Sequence, residues 1–344
     1  MKPFMSSFVL IWLLSCHWAW SQNPSVDRVG FFSDTSIVNA QLVTNLSRVL
    51  SNHTRKDISF GASFITRLPD GTQVNDPIQV LIRGHFRLEN CFMAPLKLKF
   101  NYKKGSVLYS LKSLKLVSQC KFNKVSEQDI LKEYLIYRIY NMLTDKSFRA
   151  KLLNLTLVDS AGKKKPVTEY AFLMEDIKDV AKRNQCIQWT KGTVTSEATE
   201  RKQTTLVAIF QYMIGNTDFG ISANHNFKLI IPVNESFTRP IEVPYDFDYS
   251  GMVNADYAIP DERLEIESVR QRLYRGYPRS MGELDESLAV FKQQKPNIYA
   301  LINGFDLLTL KSKKEMTDYL DEFYEVIREP KRVKSIFIDN ALTN

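Results

Sequence analysis

Hydrophobic periodicity changes character along this chain. Up to about residue 176 apolar and polar residues mostly alternate, as in half-buried strands; beyond it apolar positions mostly recur every three or four residues, as in helices. Ile58 to Arg67, Ile78 to Ile82, Leu96 to Phe100, Ser113 to Val117, Ser147 to Asp159 and Tyr170 to Asp176 read as strands, with a turn at Pro69-Asp70-Gly71. Ile37 to Leu50 reads as a helix, and so does the run from Ser126 to about Thr144, opened by a capping-box-like Ser126 and Asp129. In the second half, Leu206, Ile209, Phe210 and Met213 mark one face of a helix that stops at Gly215-Asn216, and Lys311 to Glu329 is amphipathic and stopped by Pro330. These elements predict an α+β chain with a mainly antiparallel β-rich part at 22–176 and a mainly helical part at 177–344.

Between the two helices of the second half lies the stretch that carries chemistry. A helix ending at Gly215 delivers Asp218 to a loop. Phe227 to Ile231 and Ile241 to Val243 then form a hairpin. Asn226 precedes its first strand and Asp246 follows its second, and paired strands lie about 4.7–4.9 Å apart. One amide oxygen and one carboxylate at that separation can share a cation. Mg²⁺ takes one or two carboxylates plus substrate phosphates and water, so the pair makes half of a metal–nucleotide site, with Asp218 as the base or the group that orients a substrate hydroxyl. Taken singly, each of these residues is equally an ordinary turn former.

Asp218, His225-Asn226 before a strand, and Pro244-Tyr-Asp-Phe-Asp248 occur in an order that resembles the active-site segment of the spore-coat protein H (CotH) kinase family. The resemblance covers roughly residues 80–255. It implies a two-lobed protein-kinase-like fold, ATP and Mg²⁺ as cofactors, Asp218 as catalytic residue, and Asn226 and Asp246 as metal ligands with Asp248 as a further or alternative one. It also implies a strand lysine paired to a helix glutamate. Lys115 and Glu133 fill those roles, with Lys97 and Lys99 as rival phosphate-binding lysines. Glu175, at the end of a strand, would meet an adenine edge.

Composition sets the remaining bounds. The 344 residues are 44% hydrophobic and 24% charged, which suits a globular chain with a sizeable core, and the +8 net charge is dispersed rather than blocked. Without aromatic interleaving, the short lysine runs do not mark a nucleic-acid surface. Residues 1–21 read as a signal peptide with Ala19-Trp20-Ser21 as cleavage site, or alternatively as a lipoprotein leader acylated at Cys16 and held at a membrane. Either leads out of the cytosol, toward an extracytoplasmic protein substrate. There Cys91 and Cys120 are placed to form a disulfide, buried free thiols being the alternative, and no cysteine/histidine spacing suggests zinc. Arg263, Arg270, Arg272, Arg275 and Arg279 suit either a phosphate-facing surface or a solvated one. Two further functions stay open on the same residues: AMP transfer with the nucleotide reversed, and a surface- or matrix-binding protein without turnover.

Overall fold

A computed structural model of the chain describes residues 27–52, 55, 56, 58–68, 71–84, 91–101, 106–220, 225–233 and 238–342. The leader at 1–21 and the turn residues Pro69 and Asp70 lie outside them.

Seven strands form a closed barrel: β1 (Val38–Thr44), β2 (Ser59–Arg67), β3 (Gln73–Ile82), β4 (Leu96–Phe100), β5 (Ser113–Val117), β6 (Ala150–Asp159) and β7 (Val167–Met174). Around the barrel they run β1-β2-β3-β4-β5-β7-β6, and β6 returns to β1. All pairings are antiparallel except the last, which is parallel with Val38 opposite Leu153 and Thr44 opposite Asp159. This closed, mixed barrel overturns the expected two-lobed kinase-like fold with a mainly antiparallel β N-lobe and a mainly helical C-lobe. The cause is the segment read above as a helix at 37–50. In β1, which follows the short helix α1 (Arg28–Ser33), the buried positions are Ala40, Leu42 and Thr44, a period of two, and only Leu46–Ser51 of the segment is helical (α2). An open sheet would leave the backbone groups of β1 and β6 unpaired at two edges; joining them removes both. Asp159 fastens the seam, accepting from the backbone N–H groups of Leu46 and Lys163, each at 2.9 Å. Leu42, Val80, Leu98, Leu155 and Leu173 are completely buried in the cluster that fills the barrel.

A second core lies below the barrel. Its central element is α3 (Lys124–Leu143), whose cap is Asn123 rather than the expected Ser126: the Asn123 side chain accepts from the Ser126 N–H. α3 buries Leu131, Tyr134, Leu135, Tyr137 and Tyr140, touching β6 and β7 on one side and the C-terminal helices on the other. A helix apolar around most of its circumference belongs inside a molecule. Two short elements follow the barrel, α4 (Ile177–Arg183) and β8 (Cys186–Gln188), and lead to α5 (Arg201–Ile214). Phe210 of α5 stacks on Tyr140 with ring centroids 4.3 Å apart. Then come β9 (Phe227–Pro232) and β10 (Ile241–Pro244), which with β8 make a three-stranded antiparallel sheet, followed by α6 (Met281–Asn303), α7 (Leu310–Arg328) and α8 (Pro330–Lys334).

α5 ends at Gly215 with φ 65°, a left-handed turn that glycine adopts without steric cost. A side chain there is excluded as well, because a Cβ would lie 1.9 Å from the Tyr319 hydroxyl. The chain therefore leaves α5 in one fixed direction, toward Asp218.

Candidate functional site

Asp218 is held by its own backbone and by residues from far along the chain. Its N–H donates to Asn216 Oδ1 at 3.0 Å, and Asn216 is anchored in turn to Gln211 in α5. The Arg275 guanidinium donates to the carbonyls on either side, Thr217 (2.5 Å) and Phe219 (2.8 Å), and lies 5.1 Å from the Phe219 ring centroid. The carboxylate is oriented by two neighbours. His225 Nε2 is 2.8 Å from Oδ1, and Asn226 Nδ2 donates to Oδ2 at 3.0 Å and to the Asp218 carbonyl at 2.7 Å. Since Asp218 engages Nδ2, the atom of Asn226 suited to a cation is Oδ1.

The hairpin brings Asp246 to the same place. Pro244 pairs with Phe227, and the Tyr245 N–H donates to the Asn226 carbonyl at 3.0 Å, so Asn226 and Asp246 flank the open end of the ladder. Both have left-handed backbones, φ 57° and 68°. That conformation costs a non-glycine residue about 1–2 kcal/mol and persists only where the surroundings enforce it, as they often do at functional sites. The enforcing contact at Asp246 is its N–H donating to the Tyr137 hydroxyl of α3 at 2.9 Å. Asp248, two residues on, accepts from the Tyr257 hydroxyl at 2.9 Å.

These residues share one cleft of about 530 Å³, lined by Asp218, His225, Asn226, Asp246, Asp248 and Tyr249 on the hairpin side and by Arg83, Gly84, Pro95 and Lys115 at the barrel's end. Burial, and then the charges of Asp248, Asp218 and Asp246, push the Tyr249 hydroxyl well above its ordinary value, an electrostatic sign that three carboxylates converge there. Across the cleft, Lys115 Nζ sits 4.1 Å from the centroid of the Tyr245 ring. Burial, followed by the Arg83 charge, lowers its amine to about 8, and Asp246 opposes the fall.

The other expected residues lie elsewhere. Lys115 and Glu133 do not meet: Glu133, 1% exposed, lines a small separate cavity with Asp129, Asp248 and Tyr257. Lys97 and Lys99 project from the exposed face of β4, with Lys97 opposite Lys115 in the ladder, and neither lines the cleft. Glu175 is buried at the junction of the barrel and α4, where it pairs with Arg183 at 3.2 Å and accepts from the Arg149 N–H at 3.0 Å. That engagement leaves it a fastening between β7, β6 and α4. The cleft also contains residues not singled out from the sequence as ligands, namely Arg83, Tyr245 and Tyr249. Arg83 donates to the Leu96 and Leu116 carbonyls at 3.1 and 3.2 Å, and such convergence across three strands leaves no local sequence signal.

Among the described residues no group of three or more His, Cys, Asp or Glu is arranged to hold a metal ion. Apart from Asp218, the oxygen donors on the cleft are the carboxylates of Asp246 and Asp248 and the Asn226 amide, a set that fits a magnesium ion completing its shell with water and phosphate better than a fully protein-caged metal. Cys91 and Cys120 form the disulfide. Cys186 is buried, its thiol directed at the Asn184 carbonyl. No helix among the described residues is long and apolar enough to cross a membrane. No protein-family model matches the chain, and no curated protein matches it.

Proposed function

We propose that the chain is a Mg²⁺/ATP-dependent phosphotransferase acting on a hydroxyl of an extracytoplasmic protein, exported by the leader at residues 1–21. The observation that carries this reading is the meeting of Asp218, Asn226 and Asp246 in one cleft with Lys115 and Arg83 across from them. The likeness of this segment to that of the CotH kinase family supports the same chemistry.

The acceptor hydroxyl oxygen forms a bond to the γ-phosphorus of ATP, the bond to the β–γ bridging oxygen breaks, ADP departs, and the hydroxyl proton passes to the Asp218 carboxylate. His225 and Asn226 hold that carboxylate in one orientation. Asn226 and Asp246, with Asp248 beside them, would hold magnesium, which when bound neutralises charge on the phosphates. Lys115 and Arg83 supply positive charge from the barrel side. The protein's share of the work is positioning and electrostatics, as phosphoryl transfer demands.

A thermal shift assay with Mg²⁺ and ATP tests the reading. The melting temperature rises only when both are present, and Asp246→Ala abolishes the rise. Absence of any metal-dependent rise in the wild-type protein rejects the proposal.

A further inference from the structure

A second cavity, of about 700 Å³, adjoins the first and shares Asp218, His225 and Tyr249 with it. Another part of its wall is the segment after the hairpin, where Ile259 and Leu264 lie beside Asp261, Arg263 and Arg275. Asp218 thus stands at the junction of two spaces. A transferase with two substrates needs that arrangement, because the group accepting the proton must reach the nucleotide and the acceptor together.

The arginines of residues 263–279 divide by what they touch. Arg270 and Arg272 lie over the Tyr319 ring, and Arg279 is buried against Thr205 and Glu197, so these three serve the fold. Arg263 and Arg275 line the cavity. Arg275 engages only Nη1, on the carbonyls of Thr217 and Phe219. Carbonyls are neutral and cancel none of its charge, and its Nε and Nη2 have no partner among the described residues. Those two N–H groups form the side-on fork that holds a carboxylate with two hydrogen bonds. The nearby carboxylates leave the fork open. Asp218 turns Oδ1 to His225 and Oδ2 to Asn226, and Asp261 is bound by Arg263, whose Nε lies 2.9 Å from Oδ1. Arg263 is itself exposed, and its Nη1 is uncommitted among the described residues. Burial lowers the Arg275 guanidinium below its ordinary value, Asp218 and Asp261 oppose the fall, and the Arg263 charge adds to it, so the two cations act on one region.

We propose that this cavity binds an acidic polypeptide segment as the acceptor, a Ser or Thr with Asp or Glu close by, the acid's carboxylate resting on the open fork of Arg275 and within the field of Arg263. Arg275 grips the carbonyls on either side of Asp218, so a carboxylate on its fork lies about one or two residues from the hydroxyl that Asp218 serves. The apolar side chains of Ile259, 73% exposed, and Leu264 offer contact to a peptide that a sugar phosphate cannot use. Phosphorylation of the bound segment rests on the phosphotransfer reading: its hydroxyl oxygen bonds to the γ-phosphorus, ADP leaves and Asp218 takes the proton. Binding of the segment does not depend on that reading.

Two measurements test this. In the first, fluorescent serine peptides of equal length with Glu, Ala or Lys flanks are titrated with the protein without nucleotide, and anisotropy is read. The Glu peptide binds about tenfold more tightly than the Lys peptide, with the Ala peptide between them. Arg263→Gln weakens the Glu peptide about threefold, and Asp261→Asn, which keeps an oxygen for the Arg263 N–H, strengthens it about threefold. Both positions are exposed, and neither side chain bonds to Asp218. In the second, kcat/KM for transfer from Mg²⁺/ATP follows the same order, and a sugar phosphate is a poorer acceptor than the Glu peptide. Equal binding of the three peptides, a preference for Lys, or two variants that fail to move affinity in opposite directions overturns the proposal. So does a better rate with the sugar phosphate, or a protein that responds thermally to Mg²⁺/ATP and binds the Glu peptide yet never labels it. If the wild-type protein shows no thermal response to Mg²⁺/ATP, the phosphotransfer reading fails, and the anisotropy series still decides whether the cavity takes acidic peptides.

Discussion

Replacing Lys115 by methionine separates stability from ligand binding in opposite directions. The amine falls from 10.5 to about 8 in the folded protein, first through burial and then through Arg83, so at pH 7 the folded state carries a charge it disfavours. At about 1.4 kcal/mol per pKa unit the cost is roughly 3 kcal/mol, and solvent screening of a partly exposed side chain reduces it to about 1–2 kcal/mol. Methionine removes that cost and also the contact with the Tyr245 ring, itself worth about 0.5–1 kcal/mol. The net effect is about 1 kcal/mol of stabilisation at pH 7, read as a rise of about 1–3 °C in melting temperature. The pH dependence fixes the sign. Between pH 8 and 10.5 the unfolded chain holds a proton that the folded one has released, so this lysine makes wild-type stability rise with pH across that window, and the variant lacks that rise. If the proposed phosphotransfer holds, the same variant shows a smaller thermal response to Mg²⁺/ATP than wild type, or none, because the cation proposed to meet the phosphates is gone. A Lys115→Met protein that melts below the wild type at pH 7, or that responds undiminished to Mg²⁺/ATP, refutes the reasoning.

Gly215→Ala forces a Cβ against the Tyr319 hydroxyl and a left-handed backbone on alanine; urea denaturation should show a loss of more than about 2 kcal/mol, together with loss of the nucleotide response, because Asp218 moves with the turn. Burial raises the Glu242 carboxyl to about 7 despite hydrogen bonds from Thr199 and Thr204 at 2.7 and 3.2 Å. The stability it confers is present below pH 4.5 and lost as pH rises through 7. Glu242→Gln should therefore be about 2–3 kcal/mol more stable than wild type at pH 8 and no more stable at pH 4, measured by chemical denaturation at both values.

Several elements were legible in the sequence because their signals are local. The stop at Gly215, the two hairpin strands and the amphipathic helix ending at Arg328 all stand where periodicity and turn residues place them. Asn226 and Asp246 were legible as a pair because a hairpin fixes its two ends, and Asp218 because the helix stop at Gly215 sends the chain into the loop beside them. What failed was long-range. The spacing of Leu42, Leu46 and Val49 suits a helix as well as a strand followed by a turn, and only pairing with β6, over a hundred residues later, decides for the strand. Glu133 faces Asp248 rather than Lys115 for a similar reason: the rotation of α3 is set by the tyrosines it packs on β7 and on the hairpin, through Phe172 and Phe247. Periodicity identifies an amphipathic face. It carries no information on which neighbour that face will meet.

The parallel seam between β1 and β6 governs the order in which the molecule can assemble. During synthesis the first five strands emerge well before β6, and until it arrives β1 presents an unsatisfied margin to solvent. Because closing such a loop must precede any reward from the contacts it makes, the final zipping is the slow event. The mouth of the cleft borrows Arg83 and Lys115 from that same cylinder, so the placement of both cations depends on the cylinder being closed.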